Sequence, residues 1–514
     1  MGKIANADGI GKVGNVVCGD VLWLYIKVGQ NRKGEDIIQD VKFQTFGCLP
    51  PDEQVLAGEG DWQCISSIQN TTRVLNGNGR KAEVAGVSKR TYGGELLTIV
   101  PFVSTFNKFS VTPEHPILCI KRHWLKSARK SGKKCQWLTI EEEELLSTKP
   151  RYILAKDLKE SDYLVFVANQ RVKDLPLFTK DLMRLTGFYL AEGYSSANYS
   201  VLTFAFNKDE KENISEVKSL ISKIIKKEAK ARDRGNVKEI YVCSRKWVKF
   251  FADTAGHLAI HKKLSEKILL LPFKKQWQMV QTYIKGDGNI YKRRPKNFLT
   301  YRVATASEKL AIQVQEILAR GNTFSSIKKY DNPETRNRIQ GRRVIARPIY
   351  EISFRMERKH KFVHSNGKFF LVPIRAIKRR QYKGDVFNIH VKGEPNSYLV
   401  KGFVVHNCVA AISTSSVITE LAKGRTLTAA LELKKDEIVK SLGGLPPIKI
   451  HCSLLAIDAL SEAIFNYLHK NKKEIPEDLE KRHQRIEKEK ELIKEKYKDW
   501  IEAEEKILEQ NDQT

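Results

Sequence analysis

Two short stretches decide how this chain is divided, Phe46-Gly47-Cys48-Leu49-Pro50-Pro51-Asp52 and Val404-Val405-His406-Asn407-Cys408. They bound a segment of 360 residues, 48–407, and leave two flanks that together hold 154 residues. The segment contains 66 basic and 35 acidic residues, whereas the flanks contain 24 and 25, so the whole excess charge of +30 lies in the segment. A chain whose middle attracts polyanions while its ends do not is indicative of two proteins in one reading frame.

Length and composition exclude several classes of protein. A chain of 514 residues predicts three or four domains, and 41% hydrophobic residues exclude a largely disordered chain. No stretch approaches the roughly 20 consecutive apolar residues of a membrane helix, and the N-terminus lacks the apolar core of a signal peptide. Eight cysteines are too few for a disulfide framework. We therefore expect a cytoplasmic protein without a membrane partner, whose thiols serve as ligands or nucleophiles.

The two junctions resemble those of an intein, a protein insert that splices itself out of its host. Two internal stretches resemble the corresponding intein blocks, Val111-Thr112-Pro113-Glu114-His115-Pro116-Ile117 and Gly384-Asp385-Val386-Phe387-Asn388-Ile389-His390-Val391. Short runs of Val, Ile, Leu and Tyr alternate with turn residues over 53–170 and 375–407, which is typical of β-structure. The resemblance implies an all-β, horseshoe-like Hint splicing domain that needs no cofactor.

The first junction carries the chemistry of an acyl shift. The Cys48 thiol can attack the Gly47 carbonyl and convert the peptide bond into a thioester. An amide is a poor electrophile, so a proton donor and an oxyanion stabiliser should lie nearby. By resemblance, Thr112 and His115 activate this bond.

The second junction implies the remaining steps by the same resemblance. Cys408 takes the acyl group, Asn407 cyclises onto its own carbonyl to release the insert, and His406 assists by proton transfer. Many relatives carry Asp where this chain has Asn388, and either Asp385 or His390 is then available as a substitute acid.

Between the splicing halves lie about two hundred Lys-rich residues with helical periodicity. Two stretches there resemble the LAGLIDADG motif of homing endonucleases, Leu185-Thr186-Gly187-Phe188-Tyr189-Leu190-Ala191-Glu192-Gly193-Tyr194 and Val280-Gln281-Thr282-Tyr283-Ile284-Lys285-Gly286-Asp287-Gly288-Asn289. The resemblance implies an α+β domain in which Glu192 and Asp287 hold Mg²⁺ against double-stranded DNA, the host gene without its insert. Carboxylates suit Mg²⁺, which prefers oxygen ligands.

Thr282 departs from the second motif, because it stands where a glycine usually permits close packing of the motif helices. The departure affects the predicted helix interface and leaves the predicted acid, Asp287, in place. Lys267, before the apolar run that ends at Pro272, resembles the basic residue that assists cleavage in this family.

Joining the flanks restores a continuous sequence in which Gly47 precedes Cys408-Val409-Ala410-Ala411. With Cys18-Gly19-Asp20 and His451-Cys452, it resembles the iron–sulfur cluster scaffolds of the IscU/NifU N-terminal type, an α+β fold. Thiolates are soft ligands for iron–sulfur clusters or Zn²⁺. The resemblance implies Cys18, Cys408 and Cys452 as ligands, with Asp20 or His451 as the fourth. It also implies two partners, a cysteine desulfurase and a DnaK-type chaperone.

The C-terminal tail, from about Glu474, is rich in Glu and Lys. An apolar residue recurs there every seven positions, at Leu479, Ile486, Ile493, Trp500 and Ile507. This spacing predicts a helix, which either packs as a narrow coiled-coil seam or lies solvated and stabilised by Glu–Lys pairs.

The sequence thus predicts an iron–sulfur scaffold precursor that self-splices and carries a Mg²⁺-dependent DNA endonuclease. Two alternatives stay open: an endonuclease-bearing insert with decayed splicing, or flanks that act only as a zinc-binding module. The predicted domains are the scaffold N-terminal part (1–47), the splicing domain in two parts (48–172 and 375–407), the endonuclease (173–374), the scaffold C-terminal part (408–472) and a charged helical tail (473–514).

Overall fold

The computed structural model of this chain describes most of its length. The described residues are 4, 6–14, 21–45, 47–58, 61–129, 140–195, 200–293, 298–331, 338–339, 342–343, 347–356, 362–393, 395–406, 409–444 and 451–488. Among the described helices, none is both long enough and apolar enough to cross a membrane.

The described residues form the following strands and helices, numbered in chain order. The strands are β1 Gly9–Gly14, β2 Val21–Gln30, β3 Asp36–Thr45, β4 Gln54–Ala57, β5 Asp61–Cys64, β6 Arg73–Leu75, β7 Lys81–Pro101, β8 Phe109–Val111, β9 Pro116–Ile120, β10 Arg151–Leu154, β11 Tyr163–Phe166, β12 Gly193–Ser195, β13 Val201–Asn207, β14 Lys230–Arg234, β15 Val237–Cys243, β16 Gly288–Arg293, β17 Phe298–Thr305, β18 Ser326–Tyr330, β19 Arg338–Ile339, β20 Arg342–Arg343, β21 Ile349–Phe354, β22 His364–Ser365, β23 Phe370–Val391, β24 Ser397–Val400 and β25 Phe403–His406. The helices are α1 Lys126–Arg129, α2 Glu142–Ser147, α3 Lys180–Glu192, α4 Lys211–Ile225, α5 Arg245–Ala255, α6 Glu266–Leu269, α7 Phe273–Asp287, α8 Glu308–Arg320, α9 Val409–Ala422, α10 Leu427–Leu431, α11 Lys435–Ser441 and α12 His451–Lys470. Residues 477–488 are also helical and are called the tail helix below.

The two flanks fold together although the whole insert separates them in sequence. The first flank forms an antiparallel sheet of order β1-β2-β3, and α12 lies directly on β1. A Cβ atom at Gly11 would lie only 1.9 Å from the carbonyl oxygen of Ala459, so glycine permits this close approach. Alternate residues of β2, Leu22, Leu24 and Ile26, are fully buried against the helices.

The tail helix joins the same core. Leu479 and Ile486 are both 3% exposed and pack with the apolar residues of the sheet and of α12. The first two positions of the predicted seven-residue repeat therefore pack against the host rather than facing solvent. The later positions of the repeat lie outside the described residues.

The chain segments before α3 and after α7, the helices that carry the two LAGLIDADG-like motifs, contribute to one sheet of twelve strands. Its main path is β10-β9-β11-β25-β24-β4-β6-β7-β23-β22. The two longest strands, β7 and β23, pair antiparallel along nearly their full lengths, which brings residues near 90 beside residues near 387. Among the described residues of this region strands predominate, and the α-helices α1 and α2 are short.

The middle of the insert consists of two similar halves around a pair of packed helices. Helix α3 leads into the sheet β12-β13-β15-β14, and α7 leads into the sheet β16-β17-β21-β18. The chain that follows each of the two helices thus forms a four-stranded antiparallel sheet. The chain is a multi-domain protein of mixed α and β structure.

The helix pair packs closely in spite of Thr282. Its partner across the interface is Gly187, where a Cβ atom would lie 1.9 Å from the Thr282 hydroxyl oxygen. The hydroxyl lies 3.0 Å from the carbonyl oxygen of Arg184 on the other helix. One glycine is therefore enough at this crossing, and the single Thr282 hydroxyl proton has acceptors on both helices, since the Gln278 and Met279 carbonyls of its own helix lie at 3.0 and 3.1 Å.

This packing gives a prediction. Gly187→Ala should destabilise the helix pair by about 1–3 kcal/mol, since the new methyl group meets atoms that cannot withdraw. Thr282→Gly in the same chain should restore part of that loss, because it removes the nearest atom of the clash. A double-mutant cycle of thermal unfolding measures the coupling, and additive effects of the two substitutions would contradict the proposed contact.

Candidate functional sites

The peptide bond between Gly47 and Cys48 lies in a set of polar contacts from two distant parts of the chain. The amide of Cys48 donates a hydrogen bond to the Thr112 hydroxyl at 2.8 Å, and the Thr112 amide donates to the Cys48 carbonyl at 2.9 Å. The Nδ2 group of Asn388 donates to the Gly47 carbonyl oxygen at 3.0 Å. Both sides of the peptide bond are thus contacted before any reaction.

Asn388 is held in this position by its other contacts. Its Oδ1 atom accepts hydrogen bonds from the Tyr398 hydroxyl at 3.0 Å and from the amide of Ile389 at 2.9 Å. With Oδ1 engaged by two donors, the amide group is oriented with Nδ2 towards Gly47. Asn388 and Tyr398 are both fully buried.

Asp385, one of the two residues considered as substitutes for Asn388, has different partners. It forms an ion pair with Lys89 at 2.8 Å, and the hydroxyl of Thr91 also contacts it. These partners lower the pKa of Asp385, chiefly through the hydrogen bond from Lys89, and they hold its carboxylate on the partly exposed ribbon of β7 and β23. The other substitute, His390, pairs with Gly86 further along the same ribbon. The described hydrogen bond to the Gly47 carbonyl comes from Asn388 itself.

His115 packs directly against Gly47. A Cβ atom on Gly47 would lie 2.0 Å from Cα of His115, so only glycine fits before the cysteine. His115 is fully buried, and neither ring nitrogen makes a well-formed hydrogen bond among the described residues. Burial lowers the pKa of His115 to about 4, and the adjacent Gly47 backbone offsets this only in part. The imidazole is therefore neutral at physiological pH and able to exchange a proton.

This burial predicts a pH dependence of stability. Folding lowers the His115 pKa from 6.5 to about 4. The contribution of the neutral imidazole to the free energy of unfolding is therefore fully present above pH 6.5, and it is lost as the pH falls towards 4. The loss at pH 4 amounts to about 3 kcal/mol. In a splicing-inert Cys48→Ala chain, His115→Gln should reduce the stability lost between pH 7 and pH 4 by that amount, measured by denaturant unfolding. Equal losses in both chains would show that His115 is not buried as a neutral ring.

The strand that leads to the second junction pairs with the strand that follows His115. Val405, in β25, pairs with Ile117, which lies two residues after His115. The next residue, His406, is partly exposed, and its ring lies edge-on to Tyr152 with 4.7 Å between centroids. The predicted residues Asn407 and Cys408 lie outside the described residues, but the strand that precedes them ends beside the first junction.

The two motif acids meet at the ends of α3 and α7. A Cβ atom at Gly286 would lie 3.7 Å from Oε1 of Glu192, so this acid reaches the residue that precedes Asp287. Desolvation and the charge of Asp287 raise the pKa of Glu192 to about 7. The pKa of Asp287 is raised to about 6, mainly by desolvation, although this side chain keeps access to solvent. Two carboxylates at the ends of packed helices, one of which raises the pKa of the other, are a suitable donor set for a divalent cation.

A buried lysine that sequence reasoning missed lies beside this pair. Lys262 is 4% exposed, donates a hydrogen bond to the carbonyl oxygen of Gly193 at 2.8 Å, and lies over the ring of Tyr189. Burial lowers its pKa to about 7, and the charge of Asp287 opposes that shift. Lys267 is exposed on α6, and among the described residues no contact of it with either acid is observed. Among many lysines, no sequence signal separated Lys262 from its neighbours.

The outer sheets of the same region carry basic side chains. All five residues of β14, which include Lys230, Arg232 and Arg234, are exposed. Lys328 and Lys329 are exposed on β18, in the other half. Exposed basic strands on both sheets suit contacts with phosphates.

The predicted cluster ligands of the host are described only in part. Cys452 lies in the first turn of α12, fully buried, and its carbonyl oxygen accepts a hydrogen bond from the Thr414 hydroxyl. Cys18, Asp20 and Cys408 lie outside the described residues, and the side chain of His451 is also not described. The arrangement of this ligand set stays a prediction.

Comparison with protein families gives two matches. The NifU-like N terminal domain family matches residues 1–50 and 376–474, and the LAGLIDADG-like domain family matches residues 275–356. The NifU-like match is thus interrupted by a long unmatched stretch. Its second part begins in β23, although residues 376–406 belong to the strands of the insert rather than to the host sheet.

Three individual proteins represent the similarities. The iron–sulfur cluster assembly scaffold protein IscU 1 of Archaeoglobus fulgidus is 47% identical over 90 residues, 18% of this chain and 59% of the relative. The iron–sulfur cluster assembly SufBD family protein Rv1461 of Mycobacterium tuberculosis is 32% identical over 376 residues, 72% of this chain and 44% of the relative. This chain therefore spans less than half of that relative. A structure of mesophilic variants of the homing endonuclease I-DmoI covers 36% of this chain and 87% of its own, with 12% identity and a TM-score of 0.26.

Proposed function

Because the chain carries a NifU-like N terminal domain split around a LAGLIDADG-like domain, we propose that it is the precursor of an iron–sulfur cluster scaffold. Its insert, residues 48–407, removes itself by protein splicing and also cleaves double-stranded DNA. The observation that carries the splicing proposal is the set of contacts from Thr112, His115 and Asn388 around one peptide bond.

The first step follows from these contacts. The Cys48 sulfur attacks the Gly47 carbonyl carbon, and the carbonyl oxygen takes up negative charge while it accepts the hydrogen bond from Asn388. The bond from that carbon to the Cys48 nitrogen then breaks, and His115 transfers to the nitrogen the proton that left the thiol. The products are a thioester at Gly47 and a free amine at Cys48.

The later steps involve the second junction. Cys408 attacks the thioester and takes over the Gly47 acyl group, releasing the Cys48 thiol. The side-chain nitrogen of Asn407 attacks its own carbonyl carbon, which cleaves the bond to Cys408 and leaves a cyclic imide. His406 passes a proton to the departing amine. A final shift from sulfur to nitrogen joins Gly47 to Cys408, and the pairing of β25 with β9 supports the approach of the two ends.

The length of one similarity supports an insert that is independent of its host. The alignment with the SufBD family protein covers 376 residues, more than both flanks together hold, so it extends far into residues 48–407. The IscU relative matches over only 90 residues, a length that the flanks can accommodate. The SufBD family protein and the IscU protein thus match stretches of very different length in this chain.

For the endonuclease, Glu192 and Asp287 would hold Mg²⁺. A bound Mg²⁺ supplies positive charge at the phosphate and lowers the pKa of a coordinated water. Lys262 lies within electrostatic reach of Asp287 and acts as a positioning residue, because it keeps the strand that follows α3 attached to the site through the carbonyl of Gly193. The exposed basic strands of both sheets would bind the DNA backbone.

For the spliced host, the iron–sulfur cluster is cargo. Cys18, Cys408 and Cys452 would hold it, with Asp20 or His451 completing the set, and a ligand other than thiolate suits a cluster that must be released. A cysteine desulfurase would supply sulfur, and a DnaK-type chaperone would assist transfer. Zn²⁺ can occupy the same ligands, so a zinc-binding module without an assembly role is the second candidate for the host.

The proposal is tested by expressing the full chain and measuring intact masses. We expect a ligated product of 154 residues and a free insert of 360 residues. A chain that stays at its full mass would contradict splicing and favour the endonuclease alternative. Anaerobic reconstitution of the ligated product with iron and sulfide should then give a cluster that absorbs visible light. Zn²⁺ binding without cluster formation would favour the second candidate for the host.

A further inference from the structure

The tail helix lies against α12 in an antiparallel manner. Arg482 donates a hydrogen bond to Ser461, while Arg485, three residues later, forms an ion pair with Asp458 at 2.6 Å. As the tail helix advances, its contacts move back along α12. Together with the burial of Leu479 and Ile486, these pairs fix the register of the two helices.

One imidazole and two carboxylates meet at this interface. Glu462 projects from α12, and His483 and Glu487 project from the tail helix, with donor atoms that all lie within 4.8 Å of one another. His483 and Glu487 are four residues apart, a spacing that puts them on one side of the helix. The site thus takes ligands from both helices.

The imidazole is held in place on two sides. Nδ1 of His483 lies 2.8 Å from Oε1 of Glu462, and its ring stacks on Phe465 with 3.8 Å between centroids and 12° between planes. Glu462 is only 6% exposed. Two carboxylates beside one imidazole offer a divalent cation a negatively charged donor set. An ion bound here needs donor atoms about 2 Å from its centre, so the side chains must rotate inwards to bind it.

We propose that Glu462, His483 and Glu487 form a site for a divalent transition-metal ion, of which Zn²⁺ is the representative, and that this ion fastens the tail helix to α12. One imidazole with two carboxylates suits Zn²⁺ and Fe²⁺ better than Mg²⁺, which seldom takes nitrogen ligands. Glu462 lies ten residues after Cys452, about 15 Å along α12. The site is therefore separate from the predicted cluster ligands, and it depends on neither splicing nor DNA cleavage.

The test uses the full chain, kept in one piece by Cys48→Ala and Asn407→Ala, and Zn²⁺ as the probe. Bound zinc is counted by mass spectrometry after dialysis against buffered Zn²⁺. We expect His483→Gln and Glu487→Gln each to lower the zinc content by one ion per chain. The matched control is His469→Gln, which removes another imidazole next to Phe465 and should leave the content unchanged. Equal zinc contents in the parent and both site variants would overturn the proposal.

Two further measurements separate this site from the cysteine ligands and test its role. Co²⁺ bound here should absorb without the thiolate charge-transfer bands that cysteine ligands produce, and Glu487→Gln should remove that absorption. Added Zn²⁺ should slow the hydrogen exchange of residues 477–488 at least tenfold in the parent and in His469→Gln. It should not slow this exchange in His483→Gln or Glu487→Gln. Zinc binding that leaves this exchange rate unchanged would overturn the fastening role.

Discussion

Replacing Asn388 with alanine should slow the first splicing step by about 10²- to 10³-fold, the usual effect of removing one oxyanion donor. The reason is that Nδ2 of Asn388 is the donor on the Gly47 carbonyl oxygen, where negative charge develops. The measurement is thiol-induced cleavage after Gly47 in a chain that carries Asn407→Ala. That background blocks release of the insert at the other junction, and a further Cys408→Ala removes the second nucleophile, so the rate reports thioester formation at Cys48.

The matched control is Asp385→Asn, three residues earlier in the same strand. Asp385 pairs with Lys89 and Thr91 away from the bond, so its substitution should leave the cleavage rate unchanged. Tyr398→Phe should give an intermediate loss of about tenfold, because it removes one of two hydrogen bonds that orient Asn388. If Asp385→Asn slowed cleavage while Asn388→Ala did not, the acid of this strand rather than the amide would act on the bond.

The second large effect concerns DNA cleavage. Asp287→Asn should reduce cleavage of the insert-free host gene by about 10³-fold or more, since it removes charge from the site that would hold Mg²⁺. DNA binding should persist, because the exposed basic strands lie outside the acid pair. A gel-shift assay measures binding and a supercoiled plasmid assay measures cleavage. Undiminished cleavage would exclude Asp287 from the site.

A pair of lysines tests the geometry around these acids. Lys262→Met should lower cleavage by about 10²-fold, since it releases the strand after α3 that Lys262 holds through the Gly193 carbonyl beside the acid pair. Lys267→Met changes a lysine only five positions away that is exposed, so cleavage should stay within about twofold of the parent. The reverse pattern would restore Lys267, the residue that the sequence resemblance indicates. Thermal unfolding of both variants separates an effect on cleavage from loss of the fold.

Much of the organisation of the chain follows from its amino-acid sequence. The two junction stretches divide residues 48–407 from the flanks, and the charge count agrees with that division, because the segment carries all of the excess positive charge. The match to a split NifU-like domain around a LAGLIDADG-like domain confirms the resemblance to a scaffold that carries such an insert. The fold prediction is confirmed at the coarser level of a multi-domain protein of α and β structure, and the domain bounds remain predictions.

The tail shows where pattern reasoning stops. The seven-residue spacing predicts a helix with one apolar side, but the same spacing suits a coiled coil, a solvated helix or a helix packed on a domain. Leu479 and Ile486 lie in the host core, and this could not be inferred from the repeat because a periodic pattern does not specify its partner.

Motifs along the chain are sufficient to propose Cys48, Glu192 and Asp287 as reacting groups, because a nucleophile or metal ligand must be a particular residue type. The proposed assisting groups Asn388 and Lys262 are different. Their side chains are common ones, and their positions depend on the pairing of β7 with β23 and on the packing of α3 against α7. A hydrogen bond that joins Gly47 to a residue 341 positions away depends on the packing of the whole domain, so the sequence marks the stretch that contains Asn388 but only the tertiary structure shows its partner.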